Sequence, residues 1–168
     1  MLNIIYSLEP FIEDCYRETG VREYARIIKI TAPTASKKLK EFEAEGMLKK
    51  RLDRGYLLFR ANRESEILND ISRIYWRQKL QKLIGYLNLK FHSPTIILFG
   101  SLTKLETKKD SDIDMAVLTN INKKSDLTDY EKLYKREIQL FTFKSLKETS
   151  KELKNNILNG FIIQGELK

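Results

Sequence analysis

Apolar residues at Leu2, Ile5, Tyr6, Leu8, Ile12, Cys15 and Tyr16 predict a helix over residues 2–18. Gly20 is its expected stop, and Pro10 a kink or division within it. Val21, Tyr24, Ala25 and Ile28 predict a short second helix over Val21 to Ile30. Thr31 is then an N-cap, with Pro33 tolerated in the first turn, where its missing N–H has no helical partner. The helix that follows, over about residues 32–45, turns Ala35, Leu39 and Phe42 inward and ends at Gly46. Two apolar-containing runs flank Arg54-Gly55 and read as a hairpin. Residues 64–90 hold no proline and one glycine, and their apolar stripe (Ile67, Leu68, Ile71, Ile74, Tyr75, Leu80, Leu83, Ile84, Leu87) predicts a long connecting helix. Its length would be about 40 Å at 1.5 Å per residue. Beyond it, the pattern changes. Thr95 to Phe99 reads as a buried strand, Asp112 to Leu118 as a second and Glu137 to Phe143 as a third. Helices are expected over 126–136 and over 146–158, the latter capped by Ser145, and Phe161–Ile163 adds a short strand or turn.

Composition narrows the class. The chain has 168 residues, 31 Lys+Arg against 23 Asp+Glu, and a net charge of +8. Its pI is near 9.4. Residues 37–63 carry nine basic side chains against Glu41, Glu43, Glu45 and Asp53. A basic stretch of this kind suits a phosphate-bearing partner. The single cysteine, Cys15, forms no internal disulfide. No apolar run reaches the roughly 18 residues that span a bilayer, and the N-terminus lacks a basic signal-peptide start. Secreted, membrane and disulfide-scaffold classes are not expected; a cytoplasmic protein is. Trp76 reads as packing and His92 as a structural or surface residue, with no Cys/His set at zinc spacing.

Two short helices, a tight turn and a basic second helix form a helix-turn-helix pattern. Together with the basic hairpin, residues 22–63 resemble the winged helix-turn-helix domains of prokaryotic transcription regulators. The residues that carry this are Tyr24-Ala25-Arg26, Thr31 to Leu39, Phe42-Glu43, Glu45 to Leu48 and Arg54-Gly55. The resemblance implies double-stranded DNA as a partner. Thr34, Ser36, Lys37, Lys38 and Lys40 would lie at the major groove, and Lys50, Arg51 and Arg54 would form the wing.

The candidate chemistry lies in the second half. A strand ends in Gly100-Ser101, ten residues intervene, and Asp112-Ile113-Asp114 opens the next strand. Residues two apart on a strand share a face, so the two carboxylates point the same way. Like charges held together are costly unless a cation sits between them, and Mg²⁺ or Mn²⁺ suits carboxylate and phosphate oxygens. Gly100 permits close backbone approach, and Ser101, at a helix start, favours phosphate. This spacing resembles the nucleotidyltransferase superfamily that includes DNA polymerase beta, above all its minimal prokaryotic members, over about residues 93–166. The resemblance implies that Gly100 and Ser101 hold a nucleoside triphosphate, expected to be ATP, and that Asp112 and Asp114 bind the metal. A nucleoside monophosphate would then move to an acceptor hydroxyl. The superfamily usually carries a third carboxylate on a later strand. Gln139 stands at that position here, and Glu137, two residues back on the same face, is the candidate replacement.

The expected architecture is therefore α+β. It comprises a winged helix-turn-helix (1–63), a connecting helix (64–92) and a small mixed-sheet nucleotidyltransferase fold (93–168). The expected function is metal-dependent nucleotidyl transfer joined to DNA binding. The alternative is a DNA-binding transcriptional regulator whose second domain only binds nucleotide or is catalytically degenerate. Some similar minimal nucleotidyltransferases are antitoxins that add AMP to a toxin, so a protein acceptor is a third reading. The connecting helix also offers a surface for a homodimer.

Overall fold

Each helix and strand forms where apolar periodicity meets a cap or a turn. The computed structural model describes residues 2–167, with side chains from Ile4 onward, so the Leu2 side chain falls outside the described residues. The chain is α+β and divides into two compact units. The first runs to Tyr75 and includes Lys104–Lys109; the second comprises Trp76–Thr103 and the residues from Asp110 on.

In the first unit, α1 (Leu2–Glu13) buries Ile5, Leu8, Phe11 and Ile12, with Pro10 inside it. The expected helix to residue 18 is corrected: it ends at Glu13. There Asp14 accepts the Tyr16 N–H on its side chain at 3.1 Å and the Arg17 N–H on its carbonyl at 3.2 Å, a local turn that competes with the helix. A two-residue strand, β1 (Thr19–Gly20), follows. Next comes α2 (Val21–Ile27), which stops short of Ile30 because Lys29 takes a left-handed φ of 56°. The Tyr24 hydroxyl donates to the Ser7 carbonyl at 2.8 Å and ties α2 to α1. Thr31 caps α3 (Ala32–Ala44), which buries Ala35, Leu39 and Phe42. Strands β2 (Leu48–Asp53) and β3 (Tyr56–Ala61) pair antiparallel through a two-residue turn at Arg54 and Gly55, both at positive φ, the hairpin geometry that matches strand twist. β1 pairs with the other edge of β3.

The long helix is also corrected. It is α4 (Glu66–Lys79) followed by α5 (Gln81–Lys90), separated at Leu80, whose ψ is 5°. Leu80 still donates its N–H to Trp76 at 2.9 Å, so the break is a bend without proline or glycine. The break at Leu80 lies within the second unit, which takes the chain from Trp76 on. Its buried positions are Leu68, Tyr75, Trp76, Leu80, Leu83, Ile84 and Leu87, while Ile67 and Ile74 are exposed.

The second unit is built on a four-stranded mixed sheet in the order β6-β5-β4-β7. β4 (Thr95–Phe99) pairs antiparallel with β5 (Ile113–Leu118) and with β7 (Phe161–Gln164), and β5 pairs parallel with β6 (Ile138–Phe143). Between β5 and β6 lies α6 (Thr128–Tyr134). The expected final helix is corrected as well. Ser145 caps only a 3-10 turn, Leu146–Glu148, and Ser150 caps α7 (Lys151–Leu158) by accepting the Leu153 N–H at 3.3 Å. Extended Thr149 separates the two. Ile157 and Leu153 of α7 cover Ile97, Phe99, Ala116, Phe141 and Phe143 on one sheet face. The opposite face buries Ile96, Leu98, Ile113, Met115 and Val117. Trp76 is fully buried, and His92 is exposed with φ 51°.

Candidate nucleotide site

Strand alternation divides the α7 side of the sheet into an apolar end and an acidic end. Ala116 and Leu118 of β5 pack under α7, and Asp114, two residues earlier, shares their face beyond the helix-covered cluster. In register, Asp114 stands between Phe99 of β4 and Gln139 of β6. Asp112, one residue before β5, lies on the same face by alternation, and both carboxylates are half-buried. Burial, and then the charge of Asp112, push the Asp114 carboxyl up to about 6.

β4 ends against this pair. Gly100 has φ +75°, and a Cβ placed on it would stand 2.1 Å from Asp114 Oδ2 and 3.0 Å from Cγ. Glycine is favoured here by the left-handed backbone, and only glycine leaves the Asp114 carboxylate where it stands. Ser101 follows near the start of a four-residue 3-10 helix, Gly100–Thr103, so the helix expected to begin there is a single short turn and not an α-helix. Thr103 Oγ1 donates to the Gly100 carbonyl at 2.9 Å and closes that turn.

Gln139 lies beside Asp112, and its Nε2 donates to Asp112 Oδ2 at 2.7 Å. Glu137, one residue before β6, is exposed, and its carbonyl accepts the Ile113 N–H at 2.8 Å. Among the described residues, no group of three or more His, Cys, Asp or Glu side chains is placed to hold a metal. Asp112 and Asp114 are thus brought together without a third acid. Two carboxylates remain an all-oxygen donor set suited to a hard divalent cation, with phosphate oxygens completing the shell. A cation there would also relieve the burial and repulsion that raise Asp114.

Sequence reading missed Arg136. It is 6% exposed, donates from Nη1 to the Ser111 carbonyl at 2.6 Å, and holds its guanidinium 5.5 Å from the Trp76 ring centre. It therefore fixes the peptide that leads into Asp112. A charged residue in a polar stretch gave no sign of burial. The Lys104–Lys109 segment is also held rather than free. The Thr107 carbonyl accepts the Cys15 N–H at 2.8 Å, Arg63 Nε donates to the Leu105 carbonyl at 3.1 Å, and Lys108 lies 5.5 Å from the Tyr16 ring centre.

Residues 81–165, about half of the chain, match the family described as Polymerase beta, Nucleotidyltransferase. The chain belongs to the polymerase beta nucleotidyltransferase family. The nucleotidyltransferase segment begins at the first residue of α5 and closes one residue after β7, so it includes the whole sheet and the Gly100–Asp114 constellation. Members of this family generally use a nucleoside triphosphate and a divalent metal. No curated protein matches the chain. No described helix is long and apolar enough to cross a membrane.

The residues expected to touch DNA lie in the first unit, outside the nucleotidyltransferase match. On α3, Thr34, Lys37 and Lys40 are exposed, and Ser36 and Lys38 half-buried. On the hairpin, Lys50, Arg51 and Arg54 are exposed. Several are paired: Lys37 with Glu41 at 3.9 Å, Lys50 with Glu43 at 3.0 Å, and Arg51 with both oxygens of Glu18 at 2.6 and 2.5 Å. The Arg51 hydrogen bonds hold the Glu18 carboxyl below its usual range. Among the described residues, Lys38, Lys40 and Arg54 have no ion pair.

Proposed function

We propose that the protein transfers a nucleoside monophosphate from a triphosphate, with ATP the expected donor, to an acceptor hydroxyl. One observation carries this reading: Asp114, two residues from Asp112, packs against Gly100 so closely that any side chain there would displace its carboxylate, within the nucleotidyltransferase segment. Asp112 and Asp114 would hold Mg²⁺ or Mn²⁺, which when bound supplies charge neutralisation at the transferring phosphate. Gly100 keeps space open beside Asp114, and the Gly100–Ser101 turn would border the phosphate oxygens. Arg136 holds the Ser111 carbonyl and so orients the entry to the acidic pair. Glu137 is the residue assigned to accept the acceptor hydroxyl's proton. The test is label transfer from an α-labelled triphosphate in the presence of Mg²⁺. Asp112→Asn with Asp114→Asn should abolish it, and persistent labelling would refute the assignment.

Residues 1–63 are proposed as a winged helix that binds double-stranded DNA, joined through 64–92 to the nucleotidyltransferase domain at 93–168. The α2-turn-α3 pair and the basic β2–β3 hairpin support this part. A second reading is favoured by the Gln139 contact. An amide that donates to Asp112 occupies one of the oxygens a metal needs and accepts no proton. On this reading the domain binds nucleotide without transfer, and the protein acts as a DNA-binding regulator. Gln139→Asp separates the two: a large gain in turnover supports the degenerate site, and no gain supports Glu137 as the working acid.

A further inference from the structure

The opposite end of the same sheet carries a second concavity. A cavity of about 790 Å³ lies where β4 begins and β5, β6 and β7 end. That volume suits a small organic ligand. Thr95 is in register with Leu118 there, whereas Phe99 is in register with Asp114. The four-residue offset places the cavity about 13 Å along β5 from the acidic pair, at roughly 3.3 Å per residue.

The lining has one dominant charge. Lys144, Lys147 and Lys154 border the cavity, and among the described lining residues Glu166 is the only one with a side-chain carboxylate. Among the described residues none of the three lysines has an ion pair. This contrasts with the first unit, where Lys49, Lys50 and Arg51 all have carboxylate partners. Like charges gathered around one concavity attract and concentrate an anion. Leu118 and Leu146, both half-buried, also line the cavity and give part of its wall an apolar surface.

The walls are held in place. The Thr95 hydroxyl donates to the Glu166 carbonyl at 2.6 Å, which pins the segment after β7 against the start of β4. Thr149 Oγ1 donates to the Leu146 carbonyl at 3.0 Å, and Ser145 Oγ accepts the Lys147 N–H at 3.3 Å, which fixes the 3-10 turn carrying Lys147.

We propose that this cavity binds a phosphate-bearing ligand of mononucleotide size, separate from the metal-dependent site. The three ammonium groups would take the phosphate, and Leu118 and Leu146 would take the face of a planar ring. The site is independent of metal, because lysines and not carboxylates meet the phosphate.

The experiment is calorimetric titration of the full chain with AMP in EDTA, where a metal-dependent phosphate site is silent, with adenosine and inorganic phosphate as comparison probes. AMP should bind, and each half-ligand should bind more weakly. Lys144→Gln with Lys147→Gln and Lys154→Gln should weaken AMP by about tenfold or more, as expected for losing charge-assisted hydrogen bonds to phosphate. Lys147→Glu alone, at an exposed position, should weaken it without disturbing the fold, checked by circular dichroism. Asp112→Asn with Asp114→Asn should leave AMP binding intact, so this inference and the transfer reading fail separately. No AMP binding in EDTA, equal binding by the lysine variants, or loss in the aspartate variant would each overturn the proposal.

Discussion

Gly100→Ala separates backbone strain from the placement of Asp114. Two glycines in this chain share nearly the same left-handed backbone: Gly46 at φ +74° and Gly100 at φ +75°. An alanine at either position costs about 1–2 kcal/mol for that conformation. Their surroundings differ. A Cβ on Gly46 meets nothing within 4 Å, while a Cβ on Gly100 stands 2.1 Å from Asp114 Oδ2. Ordinary contact begins at 3.4 Å, so the carboxylate must retreat. The clash is with the end of a side chain, which can swing aside, so the fold survives. A shift of about 1 Å at a reacting centre costs on the order of 10²-fold in rate. Urea unfolding should therefore show similar destabilisation for Gly46→Ala and Gly100→Ala, about 1–2 kcal/mol each. Metal-dependent label transfer should fall about 100-fold only in Gly100→Ala. Equal transfer by the two variants would refute the claim that Asp114 must occupy its present position.

Three further outcomes follow from other parts of the chain. Gly160 passes directly over β4, where a Cβ would meet the Leu98 carbonyl oxygen at 2.3 Å and Phe99 Cβ at 2.8 Å; Gly160→Ala should destabilise by about 1–3 kcal/mol in urea unfolding, the range for overpacking, and an unchanged midpoint would show that the α7–β7 link is free to move. Burial pushes the Cys15 thiol up to about 11, and the residue is 1% exposed, so at pH 8 it is almost wholly neutral. Iodoacetamide should label it slowly in the native protein and quickly in urea, and equal rates would contradict its burial. Lys37→Ala with Lys38→Ala should weaken binding to duplex DNA and reduce the salt slope by about two if each contacts one phosphate. Unchanged affinity would remove α3 from the DNA reading.

The readable parts of this chain are those set by local pattern. Ala35, Leu39 and Phe42 identified the buried side of α3, and Arg54-Gly55 identified the hairpin, because helical spacing and turn chemistry act over a few residues. The Gly100-Ser101 and Asp112-x-Asp114 spacing identified the acidic pair, because strand alternation alone puts both carboxylates on one face. Features set by distant partners were not readable. β1 is two residues long and exists only through its pairing with β3. Arg51 is held by Glu18, 33 residues away, and nothing near either residue signals the pair. Ser145 and Ser150 are both plausible caps in sequence, and the choice between them depends on where Leu153 and Ile157 must meet the sheet. Arg136 is buried by Trp76 and by a carbonyl 25 residues back in the chain. The lysine-lined cavity collects residues from four strand ends and α7 that no sequence window contains.

The central claim is that Asp112, Asp114 and the Gly100–Ser101 turn form one metal–triphosphate site. Its most direct test is a crystal structure of the full chain with Mg²⁺ and a non-hydrolysable ATP analogue. The account predicts a metal held by both carboxylates, Gln139 displaced from Asp112 Oδ2, and the triphosphate against Gly100 and Ser101. A metal-bound triphosphate elsewhere, with the Gln139–Asp112 hydrogen bond intact, would contradict it.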